Sequence, residues 1–490
     1  MIVLLVLIPA LAGAAAFVIS SDPLRRGLLV AIAILQFMLS AVTWMVPPAP
    51  ALGGWLAEDA LGRLFLTLTS LLFLASSFYA VAYLSGELHQ SHADVEEGFL
   101  FSNVREASFT GCLLLFLAAM ILVTLSQHLA LLWVAVEATT LASAPLIYFH
   151  RHHRSLEATW KYLLICSVGI ALALLGIFFL AVASSSPGAK TVSLVMKDLL
   201  SDAPHLNPLW LKAAFVLMLV GYGTKMGLAP FHTWLPDAHS EAPSVASALL
   251  SGALLNCAFL GILRIHQICV ACGLADFSER LLLVLGLLSM AVAAVFITGQ
   301  TDYKRMLAYS SVEHMGILAV GVGLGGAGMF GAMLHVINHS LTKVMLFMVA
   351  GNLLAVYQTK ASKNVVGALQ VLPVSGLLWV LGFLAITGSP PFGPFLSEFT
   401  ILKAALDQSR FFVAIAYLVL LAIILAGMAT PVLGMAQGTP DKDVVVPAGR
   451  SVALTAVPAT LGGAILLMGI YVPSFLSRTI QEAARLLGQR

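Results

Sequence analysis

Charged side chains are scarce in this chain. Only 10% of its 490 residues are Asp, Glu, Lys or Arg, whereas a typical soluble domain has about 25%. Hydrophobic residues make up 60%, and the mean hydropathy is +0.98. The net charge of +2 is too small to indicate a nucleic-acid partner. This composition excludes an ordinary soluble protein and predicts a chain that lies mostly in lipid.

Cysteine is scarce as well, with five residues and no pattern typical of a disulfide framework. Cys112, Cys166 and Cys257 lie in apolar runs, where we expect them to pack. Cys269 and Cys272 form a single CxxC, which supplies too few ligands for a metal or iron–sulfur site, and their role stays open. Phosphate loops and flavin motifs are also missing from the sequence. We therefore expect no resident metal, no redox cofactor and no catalytic residue in this chain.

Long polar segments are missing too, so we expect one polytopic membrane domain over 1–490. A spanning helix needs about 20 apolar residues. The fourteen candidates are 2–20, 27–46, 61–84, 108–126, 128–149, 160–183, 207–229, 243–265, 280–299, 306–325, 328–356, 373–405, 411–435 and 451–472. The first run begins at Ile2 with no basic residue before it, which favours a spanning helix over a cleaved signal. The fold class is therefore all-α, with a short tail at 473–490.

Basic residues favour one orientation, because Lys and Arg are enriched in cytoplasmic loops. If the N-terminus is outside, the inner loops hold Arg25, Arg26, Arg105, Arg151, Arg154, Lys304, Arg305, Lys360, Lys363, Lys442 and Arg450. The outer segments then hold Lys190, Lys197, Arg280, Arg410, Arg478, Arg485 and Arg490. This bias predicts a protein of the bacterial cytoplasmic (inner) membrane. Both of its termini would lie on the outer side of that membrane.

Four charged residues interrupt the apolar runs: Glu137, Lys225, Lys343 and Glu398. A charge at the centre of a bilayer costs about 2.5–3.5 kcal/mol even on the lower scales. Such residues are tolerated when they line a protein-enclosed or hydrated path. We therefore predict a route for protons or small cations.

Helix breakers accompany two of these charges. The predicted seventh helix has Gly221, Gly223, Gly227 and Pro230 around Lys225. The predicted twelfth helix has the sequence GSPPFGP at 388–394, just before Glu398. Paired broken helices are typical of transporters built from inverted repeats with a site at the midplane. An ordinary proline kink is the alternative interpretation.

His335, His339 and Lys343 are spaced i, i+4 and i+8, which places them on one face of a helix. Imidazole exchanges protons near neutral pH, and desolvation favours the neutral form of lysine. We interpret the row as a proton relay, with structural hydrogen bonding as the alternative.

Glu137 and Lys225 have opposite charges and could pair between helices five and seven. The pair would either tune the lysine or form a fixed salt bridge, and the sequence leaves both open.

The connection at 230–252 carries His232, Asp237 and His239, without the spacing of a catalytic triad or a metal site. We list these three as possible supporting residues.

At PFHTWLPDAHSEAPSVASALLSG the chain resembles the antiporter-like subunits of respiratory complex I, membrane-bound hydrogenases and Mrp sodium/proton antiporters. TDYKRMLAYSSVEHMG at 301–316, which holds Glu313 and His314, and HVINHSLTK at 335–343 are also similar to this family. The stretch PPFGPFLSEF looks most like the F subunit of hydrogenase-4-type complexes.

The resemblance implies fourteen helices with two inverted five-helix repeats, at 107–265 and 280–436, and broken helices seven and twelve. It implies a proton path through Glu137, Lys225, Lys343 and Glu398, with His335 and His339 beside it. Glu313 and His314 are possible supporting residues. Several relatives carry a lysine on helix eight where this chain has Asn256, so the link between the two half-channels would run through water or histidines. The tail is too short for the long lateral helix of the distal complex I subunit.

We therefore expect a proton-translocating, non-redox membrane subunit of an ion-pumping oxidoreductase complex, of the hydrogenase-4 or NADH:quinone oxidoreductase type. Redox chemistry would belong to partner subunits. The alternative is a subunit of a cation/proton antiporter, with Na⁺ as a second candidate ion, or of a proton-coupled bicarbonate-uptake system. A non-conducting scaffold is disfavoured by the four intramembrane charges.

Overall fold

The computed structural model describes residues 1–87, 92–93, 100–185, 193–440, 444 and 451–488. The described chain is almost entirely helical. Its α-helices are α1 Ile2–Val18, α2 Asp22–Met45, α3 Ala60–Glu87, α4 Glu106–Leu125, α5 Leu129–Ile147, α6 His153–Ala183, α7 Met196–Ser201, α8 Pro208–Met226, α9 Trp234–Glu241, α10 Ser244–Leu249, α11 Leu255–Ala271, α12 Ala275–Ile297, α13 Tyr303–Leu324, α14 Gly326–Tyr357, α15 Ala368–Val371, α16 Pro373–Ile386, α17 Gly393–Asp407, α18 Phe411–Ala436, α19 Ala453–Ile470 and α20 Ser474–Leu486. Two short antiparallel strands, β1 His92–Ala93 and β2 Leu100–Phe101, pair between α3 and α4.

Twelve of the described segments are long and apolar enough to cross a membrane. The stretch Ser244–Ala271 counts as one of them, because a π-helical turn at Leu250–Leu254 joins α10 to α11. Two further apolar helices, α1 and α16, are shorter. Each of the fourteen predicted segments overlaps a helix or a pair of helices. The all-helical membrane fold is confirmed, while the count of fourteen and the inverted repeats stay predictions.

The helices divide into central and peripheral ones. The spans Ser244–Ala271, α13 and α14 are buried over 100%, 94% and 83% of their apolar windows, whereas α2, α18 and α19 are buried over less than a third. Large apolar side chains such as Phe412 and Leu141 point outward, as expected for a surface that contacts lipid. Polar side chains on the three central spans are therefore shielded from lipid by the surrounding helices.

The predicted break in helix seven lies at Gly227. There α8 ends with φ 86°, a left-handed conformation that favours glycine, and α9 begins only at Trp234. Gly221 does not break the helix, contrary to the prediction, and neither does Gly223. Instead Gly221 allows close packing, because a Cβ there would lie 2.6 Å from the backbone nitrogen of Ala173 on α6.

The predicted break in helix twelve separates α16 from α17. The chain leaves helical geometry after Ile386 and resumes it at Gly393. Gly388 adopts φ 66° within the break. Both interruptions therefore lie next to a charged residue, with Lys225 before the first and Glu398 after the second.

The segment predicted as a short tail contains a helix, α20. Thr479, Ile480, Ala483 and Ala484 are buried on one face, while Arg478, Glu482 and Arg485 are exposed on the other. This two-sided pattern lets α20 pack on α3 and α14.

Four of the basic residues used for the orientation, Lys190, Lys442, Arg450 and Arg490, lie outside the described residues. The orientation therefore stays a prediction.

Candidate functional site

Lys225 lies in the last turn of α8 and is fully buried. Its ammonium donates to Thr140 Oγ1 on α5 at 2.6 Å and to Tyr162 Oη on α6 at 2.7 Å. Nζ also lies 4.6 Å from the centre of the Tyr162 ring. Two hydroxyl groups and an aromatic face therefore surround this lysine.

Glu137 lies on α5 and is half-buried. Its Oε1 accepts a hydrogen bond from Ser167 at 2.9 Å, and its Oε2 accepts one from Thr140 at 3.2 Å. Thr140 thus accepts from Lys225 and donates to Glu137. Among the described residues these two side chains form no direct ion pair, so the predicted contact runs through one hydroxyl. A fixed salt bridge, one of the two open interpretations, is absent at this position.

Asn256 lies on α11 and connects this helix to α14, the helix that carries Lys343. Its Nδ2 donates to the carbonyl of Gly252 at 2.7 Å and to Ser340 Oγ on α14 at 2.8 Å. Its Oδ1 has no partner in the described part of the chain. Nearby, the hydroxyls of Ser251 and Ser311 lie 2.8 Å apart. Asn256 therefore forms a polar bridge between α11 and α14.

Lys343 lies on α14 and is fully buried. Its ammonium donates to the carbonyl oxygen of Leu307 at 2.7 Å and to the hydroxyl of Ser310, both on α13. Like Lys225, it is held by uncharged oxygens, and no carboxylate contacts it directly in the described structure.

The histidine row on α14 is joined by a third imidazole from α13. His314 Nδ1 lies 2.9 Å from His335 Nε2, and the centres of the His314 and His339 rings are 5.0 Å apart. His335 Nδ1 lies 2.8 Å from Ser397 Oγ on α17. Both ring nitrogens of His339 lack a partner among the described residues. The row predicted on one helix is thus a cluster between three helices.

Glu398 completes this cluster from the first turns of α17. It is 5% exposed, and its Oε1 has no hydrogen-bond partner within the described structure. A side chain at Gly388 would collide with its carboxylate, so the break in helix twelve makes room for it. One ring nitrogen of His314, one of His335 and one carboxylate oxygen of Glu398 all lie within 4.8 Å of one another. Glu313 Oε2 lies 4.0 Å from His314 Nε2.

The remaining supporting residues lie apart from these groups. Asp237 pairs with Lys161 at 3.0 Å and with Arg305, in a charged network at the end of α9. His239 is buried and stacks on Phe347 at 5.0 Å. His232 is nearly buried beside Tyr309.

Glu241 belongs to the same charged network and accepts from Lys360 at 2.8 Å. Burial raises the pKa of the Glu241 carboxyl, but the charge and hydrogen bond of Lys360 outweigh it, so the pKa lies below its usual range. Glu241 therefore acts as a fixed charge at the predicted inner face, beside the ion pairs of Asp237.

The sequence did not indicate several residues of the site, among them Thr140, Tyr162 and Ser397. The i+3 spacing from Glu137 is a signal for Thr140, because such residues share a helix face. Tyr162 has no comparable signal, since its contact depends on how α6 packs against α8. Ser397 is adjacent to Glu398, but its bond to His335 depends on the packing of α14 on α17.

Comparisons with known proteins agree on one family. Residues 126–425 match the family described as NADH:quinone oxidoreductase/Mrp antiporter, transmembrane. The chain is 33% identical to the hydrogenase-4 component F homolog of Methylacidiphilum infernorum over 440 residues, which cover 89% of each chain.

Solved structures show the same fold. A chain of the archaeal membrane-bound sulfane sulfur reductase superposes with a TM-score of 0.85 at 20% identity, covering 100% of this chain and 98% of the other. A chain of respiratory complex I from Thermus thermophilus gives 0.81 at 24% identity, covering 100% of both.

Proposed function

The chain belongs to the NADH:quinone oxidoreductase/Mrp antiporter transmembrane family, and on this premise we propose that it moves protons across a bacterial inner membrane within a hydrogenase-4-like complex. The redox reaction belongs to partner subunits. The antiporter and bicarbonate-uptake alternative is not favoured, because the relative matched over 89% of both chains is a hydrogenase-4 component F homolog.

One observation carries this proposal: within the described part of the chain, two fully buried lysines have only uncharged oxygens as hydrogen-bond acceptors. Lys225 is held by Thr140 and Tyr162, and Lys343 by Leu307 and Ser310. Burying a charge without a direct counter-ion is costly, and ionisable residues in such positions of membrane helices are typical of proton paths. Both lysines are therefore suited to load and release protons in turn.

We further propose that Glu137 controls loading at Lys225. A negative charge near a lysine favours the protonated form, and Thr140 transmits the interaction because its hydroxyl touches both groups. A hydroxyl can donate and accept at the same time and rotates freely. Movement of Glu137 away from Thr140 would then favour proton release from Lys225.

The route between the lysines is proposed to pass Asn256. Its amide bridges α11 to Ser340, three residues before Lys343. Asparagine itself does not titrate, so it positions water and hydroxyl groups and leaves the proton to them.

The outlet is proposed to run from Lys343 through His339, His314 and His335 to Glu398. Neighbouring rings in this run lie 5.0 Å apart between centres. Glu398 follows the break, on the half-helix that leads to the face predicted to be outside. We propose that 107–265 and 280–436 form the two inverted repeats, each with one broken helix.

The test is proton translocation by the complex. The chain is purified from its native membranes with the subunits that accompany it, which also identifies the redox partners. Reconstituted vesicles are then driven with the substrate of those partners. Lys225→Ala is expected to abolish translocation while the complex still assembles. Lys403→Ala is the control, because Lys403 is 64% exposed and pairs with Asp407 on the surface. Normal pumping by an assembled Lys225→Ala complex would refute the proposal.

A further inference from the structure

We infer that His314, His335 and Glu398 form a binding site for a divalent transition-metal ion such as Zn²⁺, which would bind reversibly and not as a resident cofactor. One ligand atom from each residue lies within 4.8 Å of the other two. The residues come from α13, α14 and α17, and all three are buried. An ion bound here would add a direct link between three helices that the hydrogen bonds of His335 to His314 and Ser397 already connect.

The hydrogen bonds around His335 determine which of its nitrogens is available. The hydroxyl of Ser397 donates its single proton to the carbonyl of Pro394 at 2.9 Å. In that arrangement it accepts from His335 Nδ1 at 2.8 Å. His335 Nε2 is then the nitrogen without a proton, and its lone pair faces His314 Nδ1 at 2.9 Å. Ser397 thus holds His335 in the tautomer that presents Nε2 to a metal.

His314 can present Nδ1 to the same ion because its other nitrogen has an acceptor nearby. Moving the proton of His314 from Nδ1 to Nε2 places it next to Glu313 Oε2, 4.0 Å away. A carboxylate behind a ligating histidine is a common arrangement in zinc sites. The ion therefore replaces the hydrogen-bonding proton between the two rings, and no proton has to leave the pair.

The two imidazole nitrogens require only a small adjustment, while the carboxylate of Glu398, within 4.8 Å of both, must move closer. Zinc–nitrogen bonds of about 2.0–2.1 Å with tetrahedral angles separate two nitrogens by about 3.3 Å. The two imidazole nitrogens, now 2.9 Å apart, would move apart by about half an ångström. The carboxylate of Glu398, whose Oε1 lacks a partner within the described structure, supplies the third ligand. Water would fill the fourth position.

Charge and ligand type select the kind of ion. Glu398 would bind as the carboxylate, so its negative charge would offset part of the charge of a divalent cation, and Glu313 lies behind His314. Two imidazoles and one carboxylate suit Zn²⁺, whereas Na⁺ and Mg²⁺ prefer sites made of oxygen ligands alone. The site should therefore bind Zn²⁺ in a large excess of sodium and magnesium.

A consequence rests on the proposed function. If the outlet runs through these side chains, a bound ion occupies the nitrogens and the carboxylate that must exchange protons. Zn²⁺ would then inhibit translocation, and chelation would restore it. Binding itself does not depend on this consequence, so the two can fail separately.

The experiment uses the purified complex, stripped with a chelator and titrated with Zn²⁺. Bound zinc is measured by equilibrium dialysis with elemental analysis, and X-ray absorption at the zinc edge identifies the ligands. We expect two imidazoles and light-atom ligands, and the loss of one zinc per chain in His335→Ala and in Glu398→Gln. A His152→Ala/His153→Ala variant is the control for the histidine-rich turn before α6 and should keep this zinc.

Each outcome decides something. Unchanged binding in both variants, or a sulfur ligand that points to Cys269 and Cys272, would overturn the site. Zinc at the cluster without inhibition would support the site and overturn the proposed outlet. If His335→Ala fails to assemble, Glu398→Gln, which keeps the shape of the side chain, and the absorption spectrum of the unmodified complex still decide.

Discussion

Thr140→Val removes the hydroxyl that joins Lys225 to Glu137 while keeping the shape of the side chain. Thr140 accepts from the lysine at 2.6 Å and donates to the carboxylate at 3.2 Å. A hydrogen bond to a charged group contributes about 1.5–3 kcal/mol. Tyr162 remains as the other acceptor, so the protonated lysine loses one of its two partners.

That loss corresponds to about a 10- to 100-fold change in equilibrium, at about 1.4 kcal/mol per factor of ten. The protonated form of Lys225 would be populated less, and the influence of Glu137 on it would weaken. We expect proton translocation per assembled complex to fall at least about tenfold, while the yield of complex changes little.

The assay is initial proton uptake into reconstituted vesicles, normalised to assembled complex. Thr139→Val is the matched control, because Thr139 is the adjacent buried threonine and its hydroxyl bonds only the carbonyl of Val136 in its own helix, at 2.6 Å. The reasoning is refuted if Thr140→Val pumps as well as Thr139→Val. A second check is Thr140→Val combined with Glu137→Gln, which should cost little more than either change alone.

Further expectations concern three other places in the chain. Glu137→Gln should reduce pumping more than Glu137→Asp, because aspartate keeps the charge; equal rates would argue against a role of charge. Glu398→Gln should impair pumping about as much as Lys343→Ala, and the double variant should lose little more, since members of one relay are not additive. Low yield with normal specific pumping in Glu398→Gln would instead indicate that the carboxylate braces the break. Arg264→Met should lower assembly, because it leaves the Asp59 carboxylate, 2.8 Å from the guanidinium and 27% exposed, without its buried partner at a cost of about 1–3 kcal/mol; unchanged thermal stability would contradict this.

Local features of the sequence determined the membrane fold. Apolar runs long enough to span a bilayer depend only on neighbouring residues, so each predicted segment overlaps a helix of the structure. Glycine and proline change the conformation and hydrogen bonding of their own backbone. The sequence therefore predicts the breaks at Gly227 and between Ile386 and Gly393. The buried lysines were found because a charge in an apolar run is conspicuous on its own.

Tertiary structure decided how these residues interact. Thr140 stands between Glu137 and Lys225 because α5 and α8 approach at a particular depth and rotation. His314 joins the histidines of α14 because α13 packs beside it. Gly221 could be interpreted as a breaker in the sequence, yet it is a contact point with α6. A one-dimensional pattern specifies which residues share a helix face, but the rotation and depth of neighbouring helices depend on the packing of the whole bundle, and that packing decides which side chains touch.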